Sequence, residues 1–185
     1  MSSLEWVAAA LGLVNIWLVV RRSIWNYPFG IAMVVLYGFV FFEARLYSDA
    51  LLQIFFLIVQ FYGWWNWAHA RADAGAVEVR LLTARARIAW LGGAAAATLG
   101  WGWLMHRYTD AAFPWWDAGV AMLSVAAQIL MSRRYVENWL LWIAVDAIAI
   151  GLYAARGLTL TALLYAVFLG MAIGGLLGWR RALRR

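Results

Sequence analysis

One carboxylate, Asp146, stands near the middle of a long apolar stretch, residues 139–155. A charged side chain at the centre of a bilayer costs about 2.5–3.5 kcal/mol on insertion scales, so Asp146 is expected to face a protein interior or a wet cavity. At helical spacing its face also carries Asn138, Trp142 and Tyr153. An aromatic ring beside a carboxylate suits a cationic aromatic ligand. The alternative is a hydrogen-bond site that only joins helices.

Two other apolar segments carry polar residues on one helical face. One face holds Asp49, Gln53 and Gln60, and the other holds Ser124 and Gln128. Because a buried amide needs a hydrogen-bond partner where there is no water, each face must meet something polar. Singly, such faces are more typical of contacts between helices. Together with the Asp146 face, they favour a central polar cavity, in which amides suit sugar hydroxyls.

The composition indicates that lipid is the solvent. The chain is 66% hydrophobic and 13% charged, which is about half the charged fraction of a globular protein. Seven apolar segments are long enough to cross a hydrocarbon core of about 30 Å. They are residues 4–20, 25–42, 50–68, 88–105, 113–131, 139–155 and 158–179. The first has neither a basic region before it nor a cleavage site after it, so it is predicted to be a span rather than a signal peptide.

The arginines predict the topology. All fifteen basic residues are arginines, and alternating the connections puts all but Arg45, Arg107 and Arg156 on one side. The positive-inside rule makes the richer side cytoplasmic, which puts the N-terminus outside and the C-terminus inside. No nucleic-acid partner is predicted, because the arginines are scattered over short loops. The connection 71–87 is predicted to be a solvated linker with little function of its own.

Residues 21–67 recur without a gap as residues 133–179, with 13 of 47 positions identical. The identical pairs include Arg21/Arg133, Arg22/Arg134, Asn26/Asn138, Gly63/Gly175 and Trp67/Trp179. Both copies carry their arginine pair at the same place, so both must face the same way, and one extra crossing is needed between them. The predicted fold is an all-α polytopic membrane protein. Its seven transmembrane helices form a 3+1+3 arrangement of parallel repeats, as in SWEET transporters.

This duplication divides the chain into three parts. Residues 1–69 form the first three-helix repeat, residues 70–112 the cytoplasmic linker and linker helix, and residues 113–185 the second repeat with a basic C-terminal tail. A duplicated membrane segment is the usual plan of a small transporter, with its substrate site between the halves. Since Val34 is the counterpart of Asp146, the second half is expected to carry more of the substrate contacts.

Several chemistries are not predicted. The sequence has no Gly-rich phosphate loop, no catalytic triad and no second catalytic group beside Asp146, so an enzyme is not expected. It has no cysteine, and His69 and His106 have no second ligand at metal spacing, so neither a metal nor a cofactor is expected. No arginine lies within a span, which favours an unphosphorylated ligand. If the protein is a transporter, two mechanisms stay open: movement of the solute alone, which is uniport, and uptake coupled to a proton that Asp146 carries.

Two motifs resemble the PnuC family of bacterial vitamin transporters: LYSDALLQ…YGWW in the first copy and NWLLW…D…LY…LTLTALLY in the second. The resemblance covers nearly the whole chain. It implies a SWEET-related homotrimer in the bacterial inner membrane. It also implies facilitated diffusion of nicotinamide riboside, which a cytoplasmic kinase then traps for NAD biosynthesis. The substrate-lining residues that it implies are Gln128, Asn138, Trp142, Asp146, Gln60 and Tyr165. Close relatives carry thiamine or riboflavin, and the residues alone do not separate nicotinamide riboside from thiamine.

Overall fold

The computed structural model describes residues 3–43, 47–109, 113–155, 157 and 159–184. These residues form seven helices and no strand: α1 (Ser3–Val20), α2 (Asn26–Glu43), α3 (Tyr47–Ala74), α4 (Ala84–Tyr108), α5 (Pro114–Ser132), α6 (Asn138–Ala155) and α7 (Thr159–Ala182). The prediction of seven helices is confirmed. Three features used in the predictions lie outside the described residues: Arg45, Arg156 and the side chain of Asp49.

The connection between α3 and α4 is shorter than predicted, and two of its residues are packed although most of the others are exposed. Helix α3 continues to Ala74 because its last residues are good helix formers, and it stops at Gly75, whose φ of 73° suits glycine. Helix α4 begins after Thr83, whose side chain caps it. Of the residues between them, Val77 and Leu82 are buried. This loop therefore belongs to the folded structure.

Much of the apolar helix surface is exposed. Only Ala94 and Gly102 of α4 are buried, and its Ile88 is 73% exposed. By length and composition, three of the described helices, α4, α6 and α7, are able to cross a membrane. Helices that are apolar on their exposed faces require a lipid environment.

The turns that follow α1 and α5 show the duplication in the backbone. Arg22 and Arg134 occupy equivalent positions, and both have left-handed φ values, of 56° and 67°. In each turn the next residue, Ser23 or Tyr135, donates its N–H to a carbonyl five residues earlier, at 2.9 and 3.0 Å. This bond, with a left-handed residue before its donor, marks a Schellman helix end. The left-handed conformation is strained for arginine, and both guanidinium groups are used, since each donates from Nη1 to a carbonyl of the α3–α4 loop.

Two further identities have matching contacts in both repeats. Asn26 and Asn138 are fully buried, and each donates from Nδ2 to a carbonyl three residues earlier, at 2.7 and 2.6 Å. Gly63 and Gly175 each let an aromatic side chain approach the backbone. A Cβ added at Gly63 would lie 2.6 Å from Tyr27 Oη, and one at Gly175 would lie 2.5 Å from the Trp139 ring. These positions are identical because the same local packing recurs.

Helices α1 to α3 form one compact unit, the first unit, together with Ser132–Arg134 and the end of α7 from Gly178. Its most buried large side chains are aromatic. The rings of Trp67 and Trp179 lie 5.8 Å apart, and the Trp179 indole N–H donates to the Val19 carbonyl at 3.1 Å. Tyr27 contacts Trp67 edge-on at 5.4 Å. The bond matters because a buried indole N–H needs an acceptor.

The second unit comprises Arg80–Met131 and Tyr135–Leu177. Its core is built from small and aliphatic side chains, which are Leu82, Ala94, Ala126, Ala127, Leu130 and Leu141. Glu137, just before α6, is hydrogen-bonded to residues on both sides of the start of α4. It accepts the Leu82 N–H at 3.1 Å and the Arg87 Nε–H at 2.8 Å. Glu137 is therefore a buried acid with a structural role.

Candidate functional site

The residues of the predicted α6 face, which belongs to the second unit, are buried or half-buried. Asp146 is 5% exposed, Asn138 is fully buried, and Trp142 and Tyr153 are half-buried. Among the described residues, no arginine or histidine forms an ion pair with Asp146. A buried carboxylate without a cationic partner is costly, and such groups in membrane proteins mark functional positions by default.

Two amide side chains of the second unit have hydrogen-bonding capacity to spare. Asn138 donates from Nδ2 to the Tyr135 carbonyl, but its Oδ1 has no partner in the described part of the chain. Gln128 is buried in α5, and its Nε2 also lacks a partner there. A buried polar atom without a partner costs about 1–3 kcal/mol. One acceptor and one donor are thus available, which is what a hydroxyl-bearing ligand requires.

The aromatic candidates of the second unit fall into two groups. Tyr153 and Tyr165 lie together, with ring centroids 5.2 Å apart, and Tyr165 also meets Phe168 edge-on at 5.6 Å. Trp142 packs against the aliphatic core cluster, alongside Trp90. One part of the Trp142 side chain therefore packs against this cluster, and the rest of it is exposed.

The first unit contains a second group of amides. Gln60 is 3% exposed, and its Oε1 has no partner among the described residues. A Cβ added at Gly30 would lie 2.5 Å from Gln60 Nε2 and 2.8 Å from Asn15 Nδ2. Both amides therefore lie over the glycine backbone of α2. Gln53, also predicted from the α3 face, is half-buried in this unit.

Two buried polar residues of the first unit, Asn15 and Tyr27, are not among the predicted site residues. Asn15 is buried in α1 and donates from Nδ2 to the Asn26 carbonyl at 2.7 Å. Tyr27 is fully buried, and its Oη lacks a partner in the described residues. Asn15 could have been found by the argument used for Asp146, because it is a lone amide in an apolar span. Tyr27 gives no such signal, since a tyrosine near a helix end is ordinary.

Two grooves lie away from these polar candidates. A groove of about 290 Å³ is lined by residues of α4 and α5, among them Trp90, Gly93 and Ala126. A second, of about 260 Å³, is lined by Trp115, Trp116 and small residues of α5 and α6. Both are apolar, and none of the polar candidates lines either one. Within the described residues, no group of three acids or histidines could hold a metal ion.

Exposed apolar helices, together with a buried unpaired acid and buried amides with unused hydrogen-bonding atoms, are typical of one class of protein, the helical membrane transporters of small polar solutes. Comparison with known proteins agrees with this class. The family model of the nicotinamide mononucleotide transporters matches residues 2–181, so the chain belongs to that family.

Individual relatives carry two kinds of substrate name. The nicotinamide riboside transporter PnuC of Escherichia coli is 31% identical over 209 aligned residues, covering 100% of this chain and 87% of the relative. The riboflavin/roseoflavin transporter RibM of Streptomyces davaonensis is 30% identical, covering 98% and 86%. A crystal structure of the vitamin B3 transporter PnuC superposes with a TM-score of 0.81 at 28% identity, covering 98% of this chain and 82% of that one. The resemblance to the PnuC family is confirmed.

Proposed function

We propose that the chain carries unphosphorylated nicotinamide riboside into the cell by facilitated diffusion, and that a cytoplasmic kinase then traps it. The observation that supports this proposal most directly is the environment of Asp146, a buried carboxylate without a cationic partner among the described residues. Nicotinamide riboside has a fixed positive charge on its pyridinium ring, and Asp146 would balance that charge. The E. coli relative that bears this substrate's name covers the whole chain.

The remaining candidates would bind the rest of the solute. The half-buried Trp142 would stack on the pyridinium ring, since a cation over an indole face contributes about 0.5–2 kcal/mol. The free Nε2 of Gln128 and the free Oδ1 of Asn138 would pair with ribose hydroxyls. Gln60, Gln53, Tyr153 and Tyr165 complete the proposed substrate-binding set.

The riboside is favoured over the mononucleotide by the distribution of charge. The chain has no lysine, and in the described helices every arginine lies within about one turn of an end. A buried phosphate requires charge-assisted donors, most often arginine. Because such donors are confined to the helix ends, a phosphorylated solute would lack a partner at the depth of Asp146.

The assembly that we propose follows the duplication. The seven helices would form a 3+1+3 arrangement of parallel repeats related to SWEET proteins, with the N-terminus outside and the C-terminus in the cytoplasm. The protein would reside in the bacterial inner membrane as a homotrimer in contact with lipid. The arginine distribution supports the orientation, and the exposed apolar faces of the helices support the lipid contact.

Calorimetry on the purified protein tests the substrate. We expect nicotinamide riboside to bind and nicotinamide mononucleotide to bind at least tenfold more weakly. Proteoliposomes would then accumulate labelled riboside only to the outside concentration, without ATP. Binding of the mononucleotide with equal affinity would contradict the charge argument, and accumulation above equilibrium would contradict facilitated diffusion.

Riboflavin is the second candidate, because a relative of nearly the same identity and coverage is named for it. Thiamine, whose thiazolium ring is also cationic, is a third. Riboflavin is uncharged, so its binding would not depend on the charge of Asp146. Binding of riboflavin or thiamine without the riboside would reassign the substrate. Proton-coupled uptake through Asp146 is the alternative mechanism, and uptake that follows an imposed pH gradient would establish it in place of uniport.

A further inference from the structure

Four exposed arginines of the first unit stand where α1 and α7 end. Trp179 is fully buried there, and its Nε1 donates to the Val19 carbonyl at 3.1 Å. This bond fixes the last turns of α1 and α7 against each other. The exposed Arg180 and Arg181, which directly follow Trp179, and the exposed Arg21, two residues after Val19, therefore lie at the same end of the first unit.

The guanidinium of Arg21 stacks on the ring of Trp17. Its Cζ lies 4.1 Å from the centre of the Trp17 ring, and Trp17 is 46% exposed. Tryptophan is enriched at the level of lipid headgroups, so this contact holds the guanidinium at that level. The ring covers a face of the guanidinium and leaves its N–H edge available for a phosphate.

The α7 side adds three arginines on one surface. Arg180, Arg181 and Arg184 lie within about one turn, and residues three and four positions apart share a helix face. Among the described residues, no acid forms an ion pair with any of these three or with Arg21. The neighbouring Arg22 differs, because its Nη1 donates to a loop carbonyl 3.1 Å away. The four arginines therefore carry positive charge that these parts of the protein do not neutralise.

We propose that Arg21, Arg180, Arg181 and Arg184 form a binding site for the phosphate headgroup of an anionic phospholipid, and we name it the arginine clamp. The occupant is a lipid rather than a free phosphate because exposed apolar side chains continue from Arg21. These side chains are Val14 and Trp17 on α1. They lie one or two turns from Arg21 on the same helix face, where acyl chains would lie.

Purified full-length protein, titrated with phosphatidylglycerol or phosphatidylcholine of matched chains, tests the clamp. Thermal stability and lipid retention in native mass spectrometry are the two readouts. We expect phosphatidylglycerol alone to raise the melting temperature and to stay bound. Each arginine near an anionic headgroup contributes about fivefold in affinity. The variant with Arg21→Ala, Arg180→Ala and Arg181→Ala should therefore bind phosphatidylglycerol about a hundredfold more weakly.

Arg107 supplies the matched control. It is exposed at the end of α4, and its Cζ lies 5.9 Å from the Tyr108 ring, so it resembles Arg21 in charge and setting. Arg107→Ala should leave phosphatidylglycerol affinity unchanged, whereas Trp17→Leu, which keeps every charge, should lower it several-fold. If the triple variant does not fold, Arg21→Ala and Arg184→Ala replace it, each with about a fivefold loss.

Three outcomes would overturn the clamp. The first is equal affinity in the arginine variants and the parent protein. The second is an equal loss in Arg107→Ala, which would show that only net charge matters. The third is equal stabilisation by soluble glycerol phosphate, which would make the site one for free phosphate. None of these depends on the transported solute.

Discussion

At equivalent positions of the two repeats, Gly63 lies against Tyr27 and Gly175 lies against Trp139. The ring differs, but the close approach is the same. The equivalent asparagines before these rings also make matching bonds to a carbonyl three residues earlier. The duplication has therefore kept the contacts that fix the start of the second helix in each repeat and the glycine against which the following ring packs.

The middle of the same helices differs. Where α2 has Gly30, α6 has Trp142, and where α3 has Gln60, α7 has Ala172. In the first repeat the small residue lies on the second helix, and Gln60 occupies the space over Gly30. In the second repeat the large residue is on that helix and the alanine is on the last one. The two repeats thus distribute side-chain volume in opposite ways.

The buried polar groups also differ between the two repeats. Asp146 corresponds to Val34, and the same offset of 112 residues, extended back into α1 and α5, pairs Asn15 with Ala127; all four are buried. The first repeat therefore contributes amides, whereas the second adds an acid and an indole to amides of its own, Gln128 and Asn138. Apart from Asn138, which is proposed to do both, the shared residues build the scaffold and the divergent residues carry the chemistry, so variants of the two kinds should separate stability from binding.

The largest effect is expected from Asp146→Asn. It removes the only charge proposed to balance a cationic solute, and losing one partner of a buried charge pair costs about 2–5 kcal/mol, which is at least thirtyfold in affinity. Stability should not fall, since a neutral amide is cheaper to bury than an unpaired carboxylate. Calorimetry with nicotinamide riboside and a thermal melt measure both. Asp73→Asn, an exposed acid in the last turn of α3, is the control. If Asp146→Asn bound nicotinamide riboside as tightly as the parent protein does, the proposed chemical difference between the two repeats would be wrong.

Gly175→Ala tests the scaffold. Its Cβ would lie 2.5 Å from the Trp139 ring, and overpacking of this kind costs about 1–3 kcal/mol. The melting temperature should fall by about 2–4 °C for each kcal/mol. The neighbouring Gly174→Ala is the control, because its Cβ would have no atom within 4 Å. Equal melting temperatures in the two variants would show that the close approach does not decide stability.

Gly30→Ala tests the space over Gly30, which Gln60 occupies in the first repeat and which has no equivalent in the second. The added Cβ would lie 2.5 Å from Gln60 Nε2 and 2.8 Å from Asn15 Nδ2. Both atoms are the ends of side chains that can shift, so the fold should survive, although the Asn15 bond to the Asn26 carbonyl would be strained. If Gln60 binds the solute, its displacement should cost about 1 kcal/mol of binding, or roughly fivefold. Gly38→Ala, on the same helix, would only contact Gln53 at 3.6 Å and should bind normally. Unchanged affinity in Gly30→Ala would remove Gln60 from the site.

The sequence predicts the helices well because the apolar length required to cross lipid is a property of each segment alone. It also identifies Asp146, since a charge in an apolar segment is conspicuous. The contacts of Asn15 and Gln60 are not predictable in this way, because they depend on the missing side chain of Gly30 in another helix. The burial of Val77 likewise depends on tertiary packing, including the bond from Arg22 to its carbonyl, which no local pattern reveals.

The smallest effects, and the sharpest comparison, come from Asn26→Ala and Asn138→Ala. Each removes one short bond to a carbonyl, so each should lose about 1 kcal/mol of stability, with nearly equal melting temperatures. Only Asn138→Ala should also weaken binding of nicotinamide riboside, because only Asn138 lies on the Asp146 face. Equal loss of affinity in both variants would mean that the asparagines act through the shared scaffold. The chemical difference between the repeats would then rest on Asp146 and Trp142 alone.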